Sequence, residues 1–118
     1  MFRIRKEFHF SASHQLLGLP DDHPCARLHG HNYVVTVELV ANKLNEHGFV
    51  RDYRDLDAFK QYLHDEFDHR HLNDVLGDSG TTAERMAETL FEWCHSRWPE
   101  VSAVTVSETP KSWAEYRP

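Results

Sequence analysis

The sequence predicts an α+β fold: an antiparallel four-stranded sheet with two helices on one face, in the order ββααββ. Three observations predict it. Residues 2–14 and 33–40 alternate about one apolar face, the period of a half-buried strand. Residues 56–67 and 86–94 repeat apolar side chains at three- and four-residue steps, the period of an amphipathic helix. Residues 101–109 return to alternation.

In the first strand Phe2, Ile4, Phe8, Phe10 and Ala12 share one parity, with Lys6 the exception. Arg3, Arg5, Glu7, His9, Ser11 and Ser13 take the other, and His14 ends the strand on the apolar side. A connection from Gln15 to Leu28 carries Cys25; a loop of that length between strands is mobile or functional. The second strand begins at His29-Gly30-His31 and ends near Asn42, with Tyr33, Val35, Val37 and Leu39 on the parity of both histidines. Gly30 leaves the opposite face open to a close-lying backbone.

Asn45-Glu46-His47-Gly48 has turn chemistry, and residues 49–53 read as a short extended piece. From Asp55 a helix places Leu56, Phe59, Leu63 and Phe67 on one stripe. Thr81-Thr82-Ala83-Glu84 matches a Thr-x-x-Glu capping box and opens a second helix, with Met86, Ala87, Leu90, Trp93 and Cys94 inward. Cys94 reads as a small buried hydrophobe. Trp98-Pro99 ends that helix. A third strand from Val101 to Thr109 puts Val104, Val106 and Glu108 on one face, and a turn leads to a last strand, Trp113 to Tyr116.

With 118 residues the chain reads as one domain, residues 1–118, able to bury roughly two-thirds of its unfolded surface. The net charge of -6, without a Lys/Arg cluster, argues against nucleic acid or an anionic membrane as partner. No apolar run approaches the roughly 20 residues that span a bilayer. The first residues alternate as a strand rather than as a signal peptide, and two cysteines suggest no disulfide framework. Cytoplasmic location is the expectation. Four strands and two helices cannot cover every face and edge, so a homo-oligomer is expected.

Ten histidines are many for this length. His47, His64 and His95 lie in solvated stretches and are assigned no role. If the first two strands form a hairpin, His14 ends one where His29 and His31 begin the next, and all three project to one face. Three neutral imidazoles with one open position is the ligand set of catalytic zinc. Iron, nickel and copper also accept such ligands. Cys25 is either a fourth ligand, a catalytic thiolate beside an open site, or a bystander. Asp68-His69 matches a carboxylate-oriented acid/base pair, with His71 an alternative. Glu108 faces inward among valines, so it is paired in a salt bridge or binds something.

With these residues laid out, the chain resembles the 6-pyruvoyl-tetrahydropterin synthase / 6-carboxytetrahydropterin synthase family over nearly its whole length. The resemblance rests on Phe10-Ser11-Ala12-Ser13-His14, residues 25–33, Val50-Arg51-Asp52-Tyr53, Asp68-His69 with Leu72-Asn73, Thr82-Ala83-Glu84 and Ser107-Glu108-Thr109. It implies the T-fold, whose trimers close a barrel and stack as a hexamer, with active sites between neighbouring subunits. It also implies Zn2+ on His14, His29 and His31, catalytic Cys25, the Asp68-His69 pair, and Glu108 as anchor of a pterin triphosphate. Three residues separate Cys25 from His29, as in the bacterial carboxy-forming branch of the queuosine (7-deazapurine) pathway. The expected reaction is therefore 7,8-dihydroneopterin triphosphate to 6-carboxy-5,6,7,8-tetrahydropterin. Ser11 and Ser13 replace commoner small residues, and Thr81 stands where proline is usual.

Two rivals follow from the same residues. One is 6-pyruvoyl-tetrahydropterin formation. The other is a non-catalytic zinc-binding assembly module with Cys25 as ligand. A zinc hydrolase lacks the adjacent glutamate of a His-Glu-x-x-His site.

Overall fold

Two long strands, β1 (Phe2–His14) and β2 (His29–Ala41), pair antiparallel in unbroken register from Phe2↔Ala41 to His14↔His29 in the computed structural model, which describes residues 1–118. The alternation read from the sequence decides which face is buried. Phe8, Phe10, Tyr33, Val35, Val37 and Leu39 turn inward, while Arg3, Arg5, Glu7 and His9 remain outside or at the rim. β4 (Val101–Thr109) pairs with β2, and β5 (Ser112–Tyr116) with β4, both antiparallel.

The sheet has five strands rather than four, in the order β3-β1-β2-β4-β5. The added strand, β3 (Arg70–His71), is two residues long and parallel to β1 at Ala12 and Ser13. Two residues carry no period, so nothing in the sequence announces it. It exists because His69 adopts φ 58°, the left-handed region that few non-glycine residues enter, and turns the chain back along β1.

Helices α1 (Asp57–Glu66) and α3 (Ala83–His95) cover the inner face as expected. Phe59 meets Phe8 edge-on at 4.9 Å, and Phe67 meets Phe10 at 5.5 Å. From α3, Met86, Ala87, Leu90 and Cys94 are buried, and burial pushes the Cys94 thiol far above its ordinary pKa. Between them lies a short helix absent from the expected ββααββ order, α2 (Leu72–Leu76), anchored by buried Leu72. Lys6, the break in the alternation, reaches the Tyr53 carbonyl at 3.3 Å and Asp57 at 3.6 Å.

Two local expectations are corrected. Residues 49–53 form no strand; Tyr53–Leu56 is a 3-10 turn capped by Asp52, whose carboxylate accepts the Arg54 N–H at 2.9 Å. The capping box at Thr81 does not form either. Thr82 is the N-cap, its hydroxyl accepting the Arg85 N–H at 3.2 Å, while the Thr81 hydroxyl is buried without a partner.

The radius of gyration is 15.4 Å, against about 13.5 Å for a compact chain of this length. The β1–β2 ribbon extends the molecule to 55 Å, with both sheet edges short and open. No helix is long and apolar enough to cross a membrane.

Candidate metal and acid–base site

The register that pairs His14 with His29 and Ala12 with His31 brings three imidazoles onto the helix-covered face at one end of the sheet. One ligand nitrogen from each lies within 4.8 Å of the others. The rings meet edge to face, with centroids 4.6 to 5.1 Å apart. Tyr33, buried below them, packs against His31 at 5.4 Å and His14 at 6.1 Å. Gly30 between the two histidines is tightly placed, since a Cβ there would stand 3.3 Å from the Ala12 carbonyl oxygen.

Backbone carbonyls fix the tautomers. His14 Nδ1 donates to the Thr81 carbonyl at 2.9 Å and His29 Nδ1 to the Arg27 carbonyl at 2.6 Å. A carbonyl only accepts, so both Nδ1 atoms carry hydrogen and both Nε2 atoms offer lone pairs in the neutral rings. Those Nε2 atoms face each other at 3.0 Å. Two lone pairs at that distance repel unless a proton or metal ion lies between them. The donor set therefore fits a cation, and three imidazole nitrogens fit a catalytic metal site.

Glu108 closes the cluster. One carboxylate oxygen lies 3.2 Å from both His14 Nε2 and His31 Nε2. A hydrogen bond from His14, available when Nε2 is protonated, holds the Glu108 carboxyl below the usual range despite burial. Burial is the largest influence on both histidines and disfavours their cations. At His14 the hydrogen bonds to Glu108 and the Thr81 carbonyl outweigh burial, and its pKa rises. At His31 burial and the neighbouring imidazoles outweigh Glu108, and its pKa falls. Glu108 also opens into a hollow of about 420 Å³ between the start of α3 and β5, with Ala83, Val106 and Trp113 in its walls.

Cys25 stands outside the ligand cluster. It sits half-buried in a 3-10 turn, Pro24–Ala26, pinned to the end of β1 by the Leu16 N–H to Cys25 carbonyl bond at 2.9 Å. Asp68 and His69 form the expected pair, with His69 Nδ1 and the Asp68 carboxylate 2.9 Å apart. The other Asp68 oxygen accepts the Ser11 N–H at 2.9 Å, and that bond, with the one to His69, holds its pKa down. The pair makes no hydrogen bond or ion pair with the three clustered histidines. His69 is largely exposed beside a groove shared with Ser11, Ser13 and Asn32.

Three supports were not visible in the sequence. Thr81 acts through a main-chain carbonyl, which has no side-chain signature. Asn73 clips both the N–H and the carbonyl of Gln15, at 3.0 and 2.8 Å, fixing the chain just past His14. Tyr33 reads as plain core, yet its hydroxyl is buried without a hydrogen-bond partner.

The 6-pyruvoyl tetrahydropterin synthase family model matches residues 3–118. A Synechocystis protein named 6-carboxy-5,6,7,8-tetrahydropterin synthase is 36% identical, over 98% of this chain and 93% of its own length. A Bacillus subtilis protein of the same name is 30% identical, over 99% of this chain and 86% of its own. In structure, the chain superposes on Caenorhabditis elegans 6-pyruvoyl tetrahydropterin synthase with a TM-score of 0.86 at 28% identity, covering 99% of this chain and 95% of the other. Fold and whole-length match agree, and the chain belongs to the 6-pyruvoyl tetrahydropterin synthase family.

Proposed function

We propose that this protein is a zinc-dependent 6-carboxy-5,6,7,8-tetrahydropterin synthase. It converts 7,8-dihydroneopterin triphosphate and water to 6-carboxytetrahydropterin, triphosphate and acetaldehyde, a carbon–oxygen and carbon–carbon lyase reaction in 7-deazapurine formation. The observation that carries this reading is the His14/His29/His31 cluster with Glu108 against it, in a chain whose full-length bacterial relatives bear that name.

His14, His29 and His31 would hold Zn2+, which when bound would supply Lewis acidity toward the substrate's side-chain hydroxyls. Glu108, ionised and inward, accepts two N–H bonds from the pterin ring and fixes its orientation. Cys25 as thiolate takes a proton from the side chain. His69 carries protons during triphosphate loss and carbon–carbon cleavage, with Asp68 holding its tautomer. General acid–base groups of this kind contribute about 10²–10⁴-fold each.

Within one chain the Asp68-His69 pair makes no polar contact with the cluster. We assign it to the site of a neighbouring copy, as the family resemblance implies. The open edges at β3 and β5 and the extended ribbon support a homo-oligomer, read here as a barrel of trimers stacked into a hexamer.

Incubating zinc-loaded protein with 7,8-dihydroneopterin triphosphate and identifying products by mass spectrometry tests the reading. 6-Carboxytetrahydropterin with acetaldehyde is the expected result. A 6-pyruvoyl product would reassign the enzyme within its family, and no turnover of any pterin would leave a zinc-binding module.

A further inference from the structure

A second polar concavity at this end of the sheet shares His31 and His69 with the roles assigned above, while its other polar side chains have none. It is a groove of about 470 Å³ lying over Ser11, Ser13 and Asn32, with His69, Arg70 and His71 along its rim. None of its lining residues is acidic, in a chain whose net charge is -6. Its polar groups are set before any ligand arrives. Ser13 Oγ and His71 Nδ1 are 2.9 Å apart, and with the hydroxyl as donor the ring carries its hydrogen on Nε2, free to donate to a ligand. Ser11 donates to Asn32 Oδ1 at 2.6 Å, so the Asn32 side-chain amide keeps its N–H donors. One Arg70 nitrogen donates to the Asp65 carbonyl at 2.9 Å, and the guanidinium makes no other hydrogen bond or ion pair in the chain. Its remaining donors form the planar fork that suits phosphate oxygens.

Donors from the sheet face, the Asn32 amide, and from the β3 edge, the Arg70 guanidinium, therefore flank one groove that has no carboxylate in its lining. That chemistry selects an extended anion rather than a neutral ring. Ala12 is the one hydrophobic residue in the lining, and no aromatic carbocycle offers a stacking face for a pterin ring. His69 stands at the rim, so an anion seated here lies beside the residue proposed to move protons as triphosphate departs.

We infer that this groove binds a polyphosphate chain, with Arg70, His71 and the Asn32 amide as its donors and Ser13 as the positioning residue for His71. The inference rests on the proposed reaction for the source of that chain, the substrate's triphosphate. The groove's own chemistry does not depend on it.

Calorimetric titration of the zinc-loaded protein with inorganic triphosphate tests the inference, with metal content measured afterwards because triphosphate also chelates zinc. Saturable binding by the wild type, weakened about tenfold or more in Arg70→Ala and in His71→Ala, is the expected result. Lys43→Ala, beyond the far end of β2, serves as the control and should bind like the wild type. In turnover, Arg70→Ala should raise KM for the triphosphate substrate while largely retaining kcat. No saturable binding by the wild type, or equal binding by Arg70→Ala and His71→Ala, would overturn the inference. Normal turnover alongside that result would leave the synthase reading intact. Groove-dependent binding without turnover of any pterin would instead retain the polyphosphate site and remove the synthase.

Discussion

His14 and Thr81 lie 67 positions apart in sequence, and a buried hydrogen bond of 2.9 Å from imidazole Nδ1 to main-chain carbonyl joins them. This contact ties the end of β1 to the segment leading into α3. It turns His14 Nε2 toward His29 and Glu108. Gly80 makes the approach possible, since a Cβ there would stand 2.5 Å from the Leu76 carbonyl oxygen.

The Thr81 hydroxyl is dispensable to that contact. Its Oγ1 is fully buried with no hydrogen-bond partner, and such a group costs free energy on folding. Thr81→Val keeps the shape and the carbonyl. It should raise stability by about 1 kcal/mol in denaturant unfolding, with zinc content unchanged. A loss of stability would mean that the hydroxyl has a partner.

Asp68 orders His69 through one oxygen and grips the β1 backbone at Ser11 through the other. Asp68→Asn can still accept the Ser11 N–H, but it presents an amide N–H to His69 Nδ1. That reverses the preferred tautomer. Turnover should fall by about 10²-fold or more with zinc retained. Turnover within a factor of about two of wild type would remove the pair from the proton path.

Cys25 is half-buried and outside the histidine cluster, which suits proton transfer rather than ligation. Cys25→Ala should reduce turnover by about 10²–10⁴-fold and leave one zinc per chain. Zinc lost together with activity would instead make it a ligand.

A charged cluster far from the site sets the acid limit of the fold. The Glu38 side chain is 4% exposed, yet it accepts from Arg117 at 2.6 Å and Ser102 at 2.7 Å, with Arg5 at 3.4 Å. The Arg117 guanidinium, ahead of every other cause, pulls its pKa from 4.5 down to about 2. A carboxyl whose folded pKa is depressed stabilises the fold above its unfolded value. That stability is lost as pH falls from about 4.5 toward 2. Glu38→Gln should flatten the decline of stability across that window. At neutral pH it should cost about 1–3 kcal/mol, less than a fully buried pair because the arginines are half-exposed. An unchanged acid profile would show the cluster to be inert.

The parts of the fold with a period were legible in the sequence. Alternation placed β1 and β2 and gave the parity of His14, His29 and His31, and helical spacing found α1 and α3. β3 and α2 escaped because two and five residues carry too little pattern, and because the turn that makes β3 depends on a histidine with positive φ. At the site, residue types announced the imidazoles, Cys25, Glu108 and the Asp68-His69 pair. The carbonyls of Thr81 and Arg27 that orient the rings did not appear, since any residue offers a carbonyl. The Glu38 cluster carries no local pattern, because its partners Arg117 and Ser102 come from distant parts of the chain.

X-ray absorption at the zinc edge of the reconstituted protein asks the central question directly. A shell of nitrogen and oxygen scatterers at about 2.0–2.1 Å, lost in His29→Ala and unchanged in Cys25→Ala, is the expected result. A sulfur scatterer at about 2.3 Å, or a full zinc complement in His29→Ala, would contradict a metal held by three histidines with a position left for substrate.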